Sequence, residues 1–305
     1  MRILIQNRTY KGSHFGGDQV QTEAYVQALR ELGHIADYSP VMFNVPMQNY
    51  DVAWVMHINF GWTMNQINSI RSQGKPYYLF AIYYPTIIET SISQMRDMLL
   101  GSVFTFCLSN AERNEMIRNL SLTEKEQEKV KIIPNGVDKS IFFPKNEVQK
   151  EYLMTAGRYE GGKGHLRVIE IASDLNVPVL TCGTKNDMNY FNQCANYPFD
   201  KKRLLGLLNP LELADAYRKA KVYVCASGSE RNNLCLLEAA ACGCQLVSTT
   251  GNRGNEWYGD KLITCNADDR EDMKNAVYKS WNSNIMFTDT VKDWKDVVQM
   301  VLDTK

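Results

Sequence analysis

The sequence predicts an α/β protein made of two Rossmann-like, doubly wound parallel sheets. Three observations carry this. Short apolar runs alternate with helix-like segments along the whole chain, as strands and crossover helices do in a parallel sheet. The length, 305 residues, exceeds what one compact core usually holds. The alternation pauses once, at the polar stretch KNEVQKE (145–151), and then restarts with a fresh strand.

The elements follow in order. MRILIQN is a buried-strand run, and a loop with Gly12, Gly16 and Gly17 comes after it. QVQTEAYVQALRELGH reads as a helix with Val20, Tyr25, Ala28, Leu29 and Leu32 near one face, stopped by Gly33. Strands are expected at 51–58, 76–84, 102–109 and 130–134, with helices at 64–74, 91–100 and 110–120 between them. Beyond the polar stretch, strands are expected at 152–157, 177–183, 203–206, 221–227, 244–250 and 262–265. Helices fall near 164–175, 189–196, 210–220, 233–243, 269–282 and 288–303. Pro210 suits the first turn of its helix, where a missing N–H costs nothing. The implied domains are 1–145, 150–285 and a closing helical segment, 286–305.

Composition narrows the function classes. Lys plus Arg equals Asp plus Glu at 34 each, so no whole-molecule field favours nucleic acid or an anionic membrane. The opening apolar run is too short for a signal segment, and no stretch approaches the roughly 18 apolar residues of a spanning helix. A cytoplasmic protein is expected, with membrane association at most peripheral. The eight cysteines include no CxxC; Cys242 and Cys244 form CxC, which reads either as buried apolar side chains or as a soft-metal or disulfide pair.

Ligands of open α/β sheets sit at the carboxyl ends of strands, so the informative residues belong in the loops there. Gly157-Arg158-Tyr159-Glu160-Gly161-Gly162-Lys163-Gly164 directly follows a strand and opens a helix. Arg158, Lys163 and helix-start N–H groups suit a diphosphate, although solvated surface charge would read the same. The loop is not a P-loop, because His165 follows Gly164. Farther on, Glu230 and Glu238 stand eight apart, the first in a loop and the second inside the apolar run LCLLEAAACG. A carboxylate there needs a partner, and carboxylates are good acceptors for sugar and ribose hydroxyls.

The second half resembles the glycosyl transferase group 1 family (family 4), whose members are retaining enzymes of GT-B architecture. IIPNGVDKSIFFP (132–144) is similar to the segment leading out of the family's first domain, and GRYEGGKG to its Gly-Arg…Lys-Gly loop. SERNNLCLLEAAACGCQLVSTTGNRGNE is similar to its E-x7-E block and the loop beyond. The opening MRILI…GG…YVQALRELGH resembles the family's first strand, glycine loop and helix, and FTDTVKDW its final helix.

The resemblance implies two domains facing one cleft, with the last helix packed back on the first. It implies a nucleoside-diphosphate sugar donor, a glycan, lipid-linked or small-molecule acceptor, transfer with retention, and no metal or other cofactor. Arg158 and Lys163 would grip the diphosphate, Glu238 the ribose and Glu230 the transferred sugar. Gly157, Asn233 and Leu234 would also line the donor. Gly16 and Gly17 would let the backbone approach the ligands, and N–H groups around Gly254, Asn255 and Glu256 would add contacts.

The sequence departs from the family at two places. A His usual after the strand at 76–84 is replaced by Ala81, Ile82 and Tyr83, with His57 as a stand-in catalytic residue or an ordinary structural histidine. Asn232-Asn233 replaces the usual Phe-Gly. Tyr83 and Tyr84 read as strand core or as a sugar platform. A degenerate GT-B protein that binds a sugar nucleotide without turnover, or an epimerase, are the alternative readings. A nicotinamide oxidoreductase is disfavoured because GSHFGGDQ fails GxGxxG.

Overall fold

The computed structural model describes residues 1–8, 16–40, 45–87 and 89–305, and Gly12 lies outside them. The chain divides into two units, Met1–Asn135 with Trp294–Lys305, and Gly136–Asp293.

In the first unit, β1 (Arg2–Gln6), α1 (Gly17–Glu31), β2 (Ile35–Ser39), β3 (Val52–Met56), α2 (Gly61–Ser72) and β4 (Tyr77–Phe80) follow in order. Then come α3 (Ile92–Gly101), β5 (Thr105–Cys107), α4 (Asn110–Asn119), α5 (Glu124–Gln127) and β6 (Val130–Ile132). The strands pair in parallel in the order β2-β1-β3-β4-β5-β6. The sequence reading has no counterpart for β2. It is an edge strand, IADYS, in which only Ala36 is buried, so it lacks the apolar run that marks the inner strands.

Strand alternation sorts side chains onto two faces. Ala53, Val55, Tyr77 and Leu79 pack with Met98 and Leu99. On the other face Trp54 meets Phe80 and Tyr25, with ring centroids 5.2 and 5.6 Å apart, and Phe80 stacks on Phe106 at 5.1 Å. Such pairs add roughly 0.5–1.5 kcal/mol each beyond simple burial.

In the second unit, β7 (Tyr152–Ala156), α6 (His165–Asp174), β8 (Val179–Cys182), α7 (Met188–Asn196), β9 (Lys202–Leu204) and α8 (Pro210–Lys219) come first. They are followed by β10 (Ala220–Cys225), α9 (Leu234–Ala241), β11 (Gln245–Thr249), β12 (Ile263–Cys265) and α10 (Arg270–Trp281). The parallel order is β12-β11-β10-β7-β8-β9. Val222 and Val224 face a core with Leu153 and Val247, while Tyr223 and Cys225 face one with Met154 and Leu246. These strands are buried on both sides, which is why they read as continuous apolar runs. Pro210 opens α8, and the Asn209 carboxamide oxygen caps it by accepting the N–H groups of Leu211 and Glu212, both at 3.0 Å.

The last helix, α11 (Trp294–Leu302), clusters with the first unit. Trp294 packs edge-on to Tyr25 at 5.6 Å, and Lys295 pairs with Glu31 at 2.7 Å. The helix expected from 288 starts six residues later. Thr288–Thr290 forms one 3-10 turn, and Val291 is then extended because Val137 N–H bonds the Lys292 carbonyl at 3.0 Å. That bridge takes up backbone groups that a continuous helix would need.

All eight cysteines are free, seven buried and Cys235 half-buried. Cys242 and Cys244 thus follow the apolar reading, Cys244 donating to the Tyr217 carbonyl at 3.0 Å. Among the described residues no helix is long and apolar enough to cross a membrane.

Candidate functional site

In each sheet the winding reverses once, and the crevice beside the reversal is where ligands of such folds bind. In the second unit the chain runs β7-β8-β9 outward and returns with β10 on the other side of β7. The switch point therefore lies between the loops after β7 and β10. The first is the glycine-rich loop and the second carries Glu230, so strand order brings the two sequence motifs together.

The loop after β7 is shaped by its glycines. Gly164 sits at φ +74°, and a Cβ there would lie 2.7 Å from the Ala226 carbonyl oxygen at the end of β10. Gly157 has φ +148°. Gly161–Lys163 forms a 3-10 turn, and α6 then opens on Gly164 with no side-chain cap. One early N–H of α6, that of Leu166, is taken by the Tyr190 hydroxyl at 3.0 Å.

Lys163 Nζ reaches across the switch point to Glu230 Oε1 at 2.6 Å. The Lys163 side chain is 24% exposed and that of Glu230 10%. Glu230 is held from both sides, its N–H bonding the Gly251 carbonyl and its own carbonyl accepting from Arg253 N–H. Arg158 instead turns to Glu160, giving Nε and Nη2 to Oε1 at 3.0 and 2.8 Å.

Asn233 is the N-cap of α9, its side-chain oxygen accepting Leu236 N–H at 2.8 Å, and Leu234 is the first helical residue. Glu238, one face farther along α9, is half-buried and accepts from the Tyr217 hydroxyl at 3.1 Å. Burial pushes its carboxyl up to about 8, and the Tyr217 hydrogen bond only partly opposes this. Tyr217 is thus the partner the apolar run required, and no local pattern marked it.

The Gly254 and Asn255 N–H groups do not stand open for a ligand. Asn252 holds both, with its side-chain oxygen 3.1 Å from Gly254 N and its carbonyl 3.3 Å from Asn255 N. Beneath the glycine loop His165 is fully buried and stacks on Tyr159 at 4.4 Å. Burial pushes its imidazole down to about 4, so the ring is neutral near pH 7.

In the first unit the winding reverses between β1 and β3. Gly16 caps α1 in an extended conformation and Gly17 is its first residue, again with no side-chain cap. His57, just past β3, takes the left-handed φ of 69°, a strained choice for a side-chain-bearing residue. Its Nε2 lies 3.2 Å from Asp18 Oδ2. Arg8 grips the same carboxylate twice, at 2.7 and 2.8 Å. Burial alone would raise the Asp18 carboxyl, but His57 and Arg8 outweigh it and hold it well below the usual carboxylate range. The rings of Phe60 and Trp62 stack on each other at 5.6 Å and turn their edges or faces to His57 at 5.2 and 5.8 Å. Neither Asp18 nor Arg8 was expected; an acid in the first turn of a helix is the signal that marks Asp18.

Ala81, Ile82 and Tyr83 are all buried, and Ile82 adopts φ 40°. Buried Glu112 holds this turn by accepting the N–H groups of Tyr83 and Leu108. The Tyr83 hydroxyl accepts from Asn119 at 3.0 Å, so this ring is core, not a platform. Among the described residues, no three His, Cys, Asp or Glu side chains gather as a metal site.

Two Rossmann-like units with glycine loops at their switch points are the GT-B architecture, and solved structures agree over the full chain. Sucrose-phosphate synthase from Thermosynechococcus elongatus is 14% identical at TM-score 0.76, over 98% of this chain and 94% of that one. Anabaena HepE in complex with UDP is 12% identical at TM-score 0.78, over 100% and 99%. A glycosyltransferase from Rickettsia africae is 15% identical at TM-score 0.72, over 99% and 94%. The family model described as glycosyl transferases group 1 matches residues 137–277. No curated protein matches the chain.

Proposed function

We propose that the protein is a metal-independent glycosyltransferase that moves a hexose from a nucleoside-diphosphate sugar to a hydroxyl of a glycan, lipid-linked or small-molecule acceptor, with retention. The observation that carries this reading is the convergence of Lys163 and Glu230, 2.6 Å apart, over the glycine-rich loop of the family-matched span. A structure of Anabaena HepE holds UDP-glucose, which favours a uridine donor here.

Each group has a task its setting supports. Arg158 and Lys163, with the backbone of Gly157, hold the diphosphate and offset the charge that develops as it leaves. Glu230 accepts hydrogen bonds from the transferred sugar, and Asn233 and Leu234 line that end of the donor. A carboxyl with a pKa near 8 is mostly protonated at pH 7, so Glu238 gives one hydrogen bond and accepts another, as a ribose diol requires. On the first unit, Gly16 and Gly17, which lack a Cβ, leave the backbone open to close approach. His57, fixed by Asp18, is the acceptor-side polar group in place of a His at 81–83.

A thermal-shift panel of UDP, GDP, ADP, CMP and their sugars, with and without Mg²⁺, tests the reading. A ligand at a hundred times its dissociation constant stabilises by about 2.7 kcal/mol. One nucleotide class shifting Tm by a few degrees, unchanged by Mg²⁺, is the expected result; no shift with any of them overturns it. The buried, non-ionisable Ala81–Ile82 turn favours a second reading, a binder without turnover. Slow hydrolysis of the bound donor is expected of the transferase and not of the binder.

A further inference from the structure

Both cations of the glycine loop already hold a carboxylate, and the two pairs differ in setting. Glu160 is 35% exposed and sits within the loop itself. Glu230 is 10% exposed and pinned through its backbone to the segment after β11. An incoming diphosphate must compete with each carboxylate for its cation. Once Lys163 turns to the diphosphate, Glu160 can be rehydrated, but Glu230 is left largely buried without a counter-charge. A buried carboxylate in that state needs other donors.

We propose that Lys163 exchanges Glu230 for the diphosphate, and that this exchange frees Glu230 to accept the hydroxyls of the sugar. The inference rests on the donor reading given above and adds a coupling to it. A sugar nucleotide satisfies both ends of the broken pair, the diphosphate taking Lys163 and the sugar taking Glu230. A diphosphate without a sugar satisfies only one. Glu230 thereby acts as a specificity-determining residue that favours the intact donor over the spent diphosphate. Glu160, solvated whether paired or not, weakens binding of both ligands alike.

The test is calorimetric titration with two probes, inorganic pyrophosphate, which needs no base, and UDP-glucose. Glu230→Gln is expected to tighten pyrophosphate by roughly two- to fivefold, the range in which partly exposed ion pairs fall, and to weaken UDP-glucose. Glu160→Gln is expected to tighten both by a similar, smaller factor. In a Lys163→Met background the pyrophosphate gain from Glu230→Gln should vanish, as a double-mutant cycle requires of a direct exchange. A gain that persists there is only the removal of a nearby negative charge, and overturns the proposal. Unchanged or weaker pyrophosphate binding in Glu230→Gln overturns it too. Should that variant fold poorly, Glu230→Asp, which keeps the charge but shortens the reach, should give the same tightening. Wild-type protein that binds neither probe would instead remove the donor reading itself.

Discussion

The two switch points are built alike and charged differently. Each lies where a six-stranded parallel sheet reverses its winding, and each helix that follows the first loop opens on a glycine without a side-chain cap. The second unit puts two cation–carboxylate pairs there, Arg158 with Glu160 and Lys163 with Glu230, the two cations 33% and 24% exposed in their side chains. The first unit puts a histidine against an aspartate gripped twice by arginine, with His57 and Asp18 both under 10% exposed in their side chains. The difference teaches what each can do. Cations that keep a quarter to a third of their side chain in water can be traded for a ligand's charge at modest cost, whereas a buried network is costly to open and serves to fix one ring in one orientation.

The largest expected effect tests the exchangeable side. Arg158→Ala with Lys163→Ala should lower kcat/KM for transfer by roughly a thousandfold or more, the scale of losing transition-state charge stabilisation, while the circular dichroism spectrum stays unchanged. Full activity in that variant would end the comparison, because the second unit would then have no privileged loop. Next in size is Gly164→Val, which combines a left-handed φ with a Cβ 2.7 Å from the Ala226 carbonyl oxygen. A loss of about 3 kcal/mol or more in denaturant unfolding is expected.

The loop's support has a pH signature. His165 has its pKa pushed down to about 4 in the fold against an ordinary 6.5. Its contribution is therefore complete above pH 6.5 and is lost as pH falls toward 4, because only the unfolded chain takes up the proton in that window. The loss amounts to up to about 3 kcal/mol. Unfolding midpoints followed from pH 7 to 4.5 should drop less steeply in His165→Phe than in the natural protein; equal slopes would assign the acid sensitivity elsewhere.

Smaller effects sharpen the first unit. Asp18→Asn should cut turnover about tenfold with donor affinity unchanged, since it removes the charge that orients His57. A variant that merely melts earlier, with normal turnover per folded molecule, would make the cluster structural. Glu238→Gln should have the least effect on nucleotide affinity at pH 7, because a protonated carboxyl and a carboxamide both donate and accept. Glu238 has its pKa raised to about 8, so the folded state loses stability as pH rises from 4.5 to 8, and the Gln variant should flatten that decline in Tm.

Much of this was legible in the residues. Apolar runs such as Val222–Cys225 and Gln245–Thr249 marked inner strands because burial on both faces leaves no polar alternation. The glycine loop and Glu230 could be flagged because such loops must follow strands. Edge strand β2 and the late start of α11 were not legible, since each depends on a backbone partner distant in sequence: Ile3 and its neighbours for one, Val137 for the other.

The sequence by itself determined the α/β class, two sheets, and which loops carry charge and glycine, because these follow from periodicity and from residue chemistry. Only the tertiary structure decided who meets whom. Lys163 finds Glu230 across 67 positions, Glu238 finds Tyr217 across 21, and His57 finds Asp18 across 39. Those meetings are set by strand order, which is chosen by the packing of whole faces, and no local pattern of residues encodes it.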